Sequence, residues 1–175
     1  MNRSFRILAG LSAIVLGLFA HTEPACAGTP SDKFTNYPVP YASPYGIVYV
    51  DAGPLKGIWF TNTTLDAKSG AVEFLYKSGK TAFLATPTAA AKPGSINFVP
   101  SSDSLWFTET NTNKIARIDK SRKITEYAIP TAASKPTDIQ HGPDGAMWFT
   151  QSAIGKIGRI DKTGKITEYV VGNAN

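Results

Sequence analysis

The chain has 175 residues, 42% of them hydrophobic, which suits one domain with a core of useful size. Its net charge of +5 is spread along the chain without a basic run, so charge gives no reason to expect a nucleic-acid partner. A single cysteine, Cys26, excludes an intrachain disulfide and a cysteine-built metal site.

The first segment carries Arg3 and Arg6, an apolar run from Ile7 to Ala20, and the exit Ala25-Cys26-Ala27. This order predicts a secretory signal peptide over residues 1–27, cleaved after Ala27. The apolar run is shorter than the ~20 residues that span a bilayer. The resulting expectation is a secreted or periplasmic protein with no membrane attachment after cleavage. A lipid anchor on Cys26 is the other reading, but Glu23-Pro24-Ala25 lacks the leucine such signals usually carry. The segment 28–175 has no cysteine, and His141 is its only histidine.

Next comes Lys33-Phe34-Thr35-Asn36-Tyr37-Pro38-Val39, expected as an extended strand over 33–39. It matches Lys123-Ile124-Thr125-Glu126-Tyr127 and Lys165-Ile166-Thr167-Glu168-Tyr169 further on. The stretch is therefore the last strand of a repeat. Three tryptophans follow in a shared phrase: Trp59-Phe60-Thr61, Trp106-Phe107-Thr108 and Trp148-Phe149-Thr150. They lie 47 and 42 residues apart. A period in the forties with short strands predicts an all-β propeller of four-stranded antiparallel blades. Blades are expected over about 41–87, 88–130 and 131–171.

The third copy is the clearest. Asp138-Ile139-Gln140 is a short strand, and Gly142-Pro143-Asp144-Gly145 a turn. Ala146–Thr150, Gly155–Ile160 and Lys165–Val171 complete the blade, with Asp161-Lys162-Thr163-Gly164 as a hairpin turn. The second copy runs through Ser95–Phe98, Leu105–Thr108, Lys114–Ile118 and Ile124–Ile129. Pro87, Pro93, Pro130 and Pro136 are expected to bracket the links between blades. Three blades plus one extra strand fall short of the four to eight of closed propellers, which predicts either self-association, with two copies giving six blades, or a truncated gene product that folds poorly. The strand at 33–39 is expected to pair across that interface or on the last blade.

Pro-x-x-Ile, Gly-Pro-Asp-Gly, Trp-Phe-Thr, Lys-Ile-x-Arg-Ile-Asp and Lys-Ile-Thr-Glu-Tyr resemble the repeats of the streptogramin B (virginiamycin B) lyases, over about Lys33–Val171. The resemblance implies a seven-bladed propeller and a magnesium-dependent carbon–oxygen lyase that opens a cyclic depsipeptide lactone without water. It also implies a Glu-Pro-His before the isoleucine of one blade and a Trp-Phe-x-Glu after it. The two glutamates hold the metal and the histidine acts as base. Here the first motif falls on Ser43-Pro44-Tyr45, Lys92-Pro93-Gly94 and Lys135-Pro136-Thr137. The second glutamate falls on Asn62, Glu109 and Gln151, so Glu109 alone matches.

Glu109 is thus the one candidate metal ligand, and Mg2+ the one implied cofactor; without the lyase chemistry no cofactor is expected. His141 is the one candidate base, but it takes a slot filled by Tyr49 and Phe98 in the other copies, which reads as packing. Asn62, Glu109 and Gln151 together are expected to form a polar ring where a polar ligand docks. Trp59, Trp106 and Trp148 are expected in equivalent half-buried sites between blades, and Asp119 and Asp161 at hairpin turns, bonding local amides. The sequence favours a secreted, non-catalytic module binding a polar ligand or partner, with the lyase as the alternative.

Overall fold

The computed structural model describes residues 4–8, 34–38, 43–63 and 70–172, the first two segments by backbone alone. Met1–Tyr41 and Ala42–Asn175 form two compact units. In the first, β1 (Ser4–Leu8) pairs antiparallel with β2 (Phe34–Pro38). The strand expected at 33–39 therefore finds its partner within the segment read as a signal peptide, not on the last blade. The Ala27 cleavage site lies outside the described residues.

The second unit consists of three four-stranded antiparallel sheets, each in sequence order. Blade 1 holds β3 (Pro44–Val50), β4 (Gly57–Asn62), β5 (Ala71–Leu75) and β6 (Thr81–Ala85). Blade 2 holds β7 (Pro93–Val99), β8 (Ser104–Glu109), β9 (Lys114–Ile118) and β10 (Ile124–Ala128). Blade 3 holds β11 (Pro136–His141), β12 (Met147–Gln151), β13 (Lys156–Ile160) and β14 (Ile166–Val170). Among the described residues there is no α-helix, only a 3-10 turn at Pro100–Ser102. The sheets are those of a partial propeller, and the first strands β3, β7 and β11 neighbour one another.

Pro87 and Pro130 lie in the links between blades, and Pro93 and Pro136 end those links by opening the first strand of the next blade, as Pro44 opens the first strand of blade 1. Each strand-opening proline pairs with the last residue of the second strand, and the register then shifts before Ile47, Ile96 and Ile139. A strand's first residue is where the missing N–H of proline does least harm, and the bulge absorbs the mismatch.

The core lies between blades. Trp59, Val72 and Phe74 of blade 1 pack on Ile96, Leu105, Phe107 and Ile118 of blade 2. One repeat on, Trp106, Ile115 and Ile129 pack on Ile139, Met147, Phe149 and Ile160. Trp59 and Trp106 thus each reach into the next blade. Trp59 and Trp106 are fully buried, 1% and 3% exposed, where the spacing suggested half-burial. Only Trp148, whose face meets no fourth blade among the described residues, is half-buried. Each indole N–H has a partner: Leu55 carbonyl for Trp59, Ser104 Oγ for Trp106 and Asp144 Oδ1 for Trp148.

The β9–β10 and β13–β14 hairpin turns are set by aspartate. Asp119 Oδ1 accepts bonds from Ser121 N, Ser121 Oγ and Lys123 N at 2.8, 2.6 and 3.1 Å. Asp161 does the same with Thr163 and Lys165. The Ser121 and Thr163 hydroxyls lead the causes that hold these two carboxyls below their ordinary range. The fourth turn position needs a left-handed backbone: Gly79 and Gly164 supply it at φ 81° and 91°, while Arg122 adopts φ 64°.

Candidate axial ligand cleft

A cleft of about 100 Å3 opens where the first strands begin. It is lined by Tyr45, Thr63, Lys92, Gly94, Thr110 and Thr137. The register explains this set. Tyr45, Gly94 and Thr137 each follow the strand-opening proline of their blade, so one position of the repeat arrives three times at one spot. Thr63 and Thr110 come just after the second strands of blades 1 and 2 and hold this end together. Thr63 Oγ1 donates to the Ser43 carbonyl at 2.9 Å, and Thr110 Oγ1 to the Pro136 carbonyl at 2.8 Å.

Below them, threonines tie each blade to the next. Thr61 Oγ1 donates to the Gly94 carbonyl at 2.6 Å, and Thr108 Oγ1 to the Thr137 carbonyl at 3.3 Å. Gly94 is required here. A Cβ at this position would lie 2.6 Å from Thr108 Oγ1. Lys92 and Lys135, at equivalent positions, both take left-handed backbone, φ 52° and 50°. Their carbonyls receive the amides of Thr110 and Ser152. Both lysines are exposed, and Lys92 brings the positive charge of the cleft.

The residues expected to form a polar ring are buried instead. Asn62 is 7% exposed, and Glu109 and Gln151 are fully covered. They end the second strands, central in their sheets, and do not line the cleft. Their surroundings differ. Asn62 Nδ2 donates to Glu73 Oε1 at 2.7 Å. Glu109 Oε2 accepts from Thr112 Oγ1 at 2.9 Å, while its Oε1 has no hydrogen-bond partner. Neither side-chain polar atom of Gln151 has one.

Burial, and then the nearby Glu126 carboxylate, push the Glu109 carboxyl up to about 7. Glu126 is held otherwise. Burial alone would raise it, but Lys114 Nζ at 2.6 Å and the amide and hydroxyl of Thr88 bring it below its ordinary value. Thr131, Lys156 and Glu168 repeat this clamp in blade 3.

This donor set does not fit magnesium. A hard cation takes several oxygen ligands, usually including ionised carboxylates. Among the described residues, no three His, Cys, Asp or Glu side chains gather at metal-binding distance. Glu109 faces a carboxylate it repels, and a lysine lies on the same clamp. His141 is exposed at the far end of β11 from Thr137. Four residues of strand place it about 13 Å from the cleft. Its register matches Tyr49 and Phe98, each opposite the start of the second strand, but it is not packed as the sequence suggested.

The solved structures with the same fold include virginiamycin B lyase from Staphylococcus aureus, 36% identical with a TM-score of 0.71. That match covers 84% of this chain and 48% of the lyase. A catalytically inactive variant of the same lyase with quinupristin matches at 36% identity and TM-score 0.72, covering 82% and 47%. A streptogramin B lyase matches at 38% identity and TM-score 0.70, covering 82% and 46%. The chain thus spans about half the length of these lyases. No curated protein matches the sequence at significant similarity. The model of the virginiamycin B lyase family matches residues 21–175, nearly the whole chain. The chain belongs to the virginiamycin B lyase family.

Proposed function

We propose that this chain is an exported propeller module that binds a polar ligand at the axial cleft without turning it over. One observation supports the reading most. Tyr45, Gly94 and Thr137, the three residues at the position where the family's motif carries a histidine, line the cleft together, and none is a base. A hydroxyl, whether of threonine or tyrosine, is a poor base unaided, and glycine has no side chain. Lys92 and Lys135 stand where a metal-binding glutamate would precede them. The cleft retains a hydroxyl-rich wall, one lysine charge and a glycine floor. Its volume is well below the ~300–1,000 Å3 that encloses drug-sized ligands. It therefore suits the anionic or hydroxyl-bearing end of a ligand whose bulk rests outside.

The alternative is the magnesium-dependent lyase, favoured by the 36–38% identity to solved lyases. Quinupristin is the probe that separates the two. Calorimetric titration reads binding, and chromatography after incubation with magnesium reads ring opening. Binding weakened by Lys92→Ala, with no opened product, supports the module. Opened product whose formation stops with chelator replaces it by the lyase.

A further inference from the structure

Two hydroxyls that wall the axial cleft have already used their hydrogens. Thr63 Oγ1 donates to the Ser43 carbonyl and Thr110 Oγ1 to the Pro136 carbonyl. What each offers an incoming ligand is therefore an oxygen lone pair, which accepts a hydrogen bond and cannot donate one. The charge in the cleft has the opposite character. Lys92 is exposed, and among the described residues its ammonium has no ion pair, whereas Lys114, Lys156 and Arg159 are each held by a carboxylate. It brings donors and a positive charge with no anion beside it. The third feature is an aromatic ring. Tyr45 shares the cleft with residues of blades 2 and 3, is itself exposed, and among the described residues carries no stacked ring or cation.

We infer that the ligand of this cleft is a sugar acid, a carboxylate flanked by hydroxyls on a saturated ring; the inference rests on the reading of the cleft as a binding site. Each part has its partner. The carboxylate meets the Lys92 ammonium in a charge-assisted hydrogen bond. The neighbouring hydroxyls donate to Thr63 Oγ1 and Thr110 Oγ1, which can only accept. The space of about 100 Å3 suits the carboxylate and those hydroxyls and leaves most of the ring outside. There its C–H face lies on Tyr45, whose electron-rich ring face takes the slightly positive hydrogens. Other classes fail one of these tests. Inorganic phosphate or sulfate is rich in acceptors and would set oxygen against the threonine oxygens. An aromatic acid satisfies Lys92 and Tyr45 but leaves both threonines facing carbon. A neutral sugar leaves the ammonium without its anion.

Titration of the full chain with glucuronate, glucose, benzoate and inorganic phosphate, followed by NMR, tests this. Glucuronate is expected to bind at least tenfold more tightly than each of the other three. Lys92→Ala and Tyr45→Ala should each weaken it at least tenfold with an unchanged circular dichroism spectrum. Tyr45→Phe, which keeps the ring, should bind as the parent does, and Lys92→Ala should leave glucose binding unchanged. Glucuronate bound no better than benzoate or phosphate, or bound equally well without the Tyr45 ring, overturns the inference. Quinupristin separates that failure from failure of the cleft itself. If quinupristin binds through Lys92 and glucuronate does not, the cleft stands and the sugar acid falls; if neither binds, both fall.

Discussion

Trp106 and Trp148 occupy one position of the repeat, yet Trp106 is buried by the following blade and Trp148 is half-open. The pair separates what a blade does for itself from what its neighbour does for it. Both indoles keep a hydrogen bond and a tyrosine stack within their own sheet. Only Trp106 adds an apolar interface with Met147 and Phe149.

Stability should follow that difference. Trp106→Ala is expected to lose about 3–5 kcal/mol, the usual range for a large aromatic in a packed core. Trp148→Ala should lose clearly less in the monomer. Urea unfolding followed by circular dichroism measures both, and equal losses would show that blade-to-blade packing is not the main support.

Glu109 should make stability depend on pH. Its folded pKa is about 7 against an ordinary 4.5, so the folded state holds a proton that the unfolded state releases. This contribution is full below about pH 4.5 and is lost as the pH rises through about 7. Its size is on the order of 3 kcal/mol. Glu109→Gln copies the blade 3 residue Gln151 and should flatten the profile between pH 5 and 8. Other carboxylates, among them Glu126 with its lowered pKa, titrate in both proteins, so the difference between the two curves isolates Glu109.

Gly158 tests the packing of a single blade. A Cβ there would come 2.0 Å from the Phe149 ring. Gly158→Ala should destabilise by about 1–3 kcal/mol through overpacking, and Phe149→Leu in the same chain should recover part of the loss. Failure of that rescue would mean that the ring does not hold this position.

Export predicts a processed amino terminus. Mass spectrometry of the secreted or periplasmic protein should find Gly28 first, and an intact Met1 on a soluble cytoplasmic protein would contradict it. Such processing removes β1 and frees β2 from its partner.

Much of the fold was legible because the repeat writes it three times. Trp59, Trp106 and Trp148 fix the second strands, and Asp119 and Asp161 with their Ser or Thr two residues on fix the turns. The site was harder to read. Asn62, Glu109 and Gln151 look like a polar ring because all three are hydrophilic at one position. Every residue of β8 is buried, however, so alternation gives no warning that Glu109 is covered too. The cleft was half legible: the motif alignment puts Tyr45, Gly94 and Thr137 at one repeat position, but they share no chemistry, and only the folded sheets show that they line one space. His141 misled for a related reason: its register is that of Tyr49 and Phe98, but its small polar ring stays in solvent.

The most direct measurement is incubation of the purified full chain with a streptogramin B lactone and magnesium, read by chromatography with mass detection. Elimination leaves the mass unchanged, so the retention time carries the answer. The expected result is unaltered lactone at every time point. An opened isomer, lost on adding chelator and lost again in His141→Ala, would contradict a non-catalytic cleft and make His141 the base.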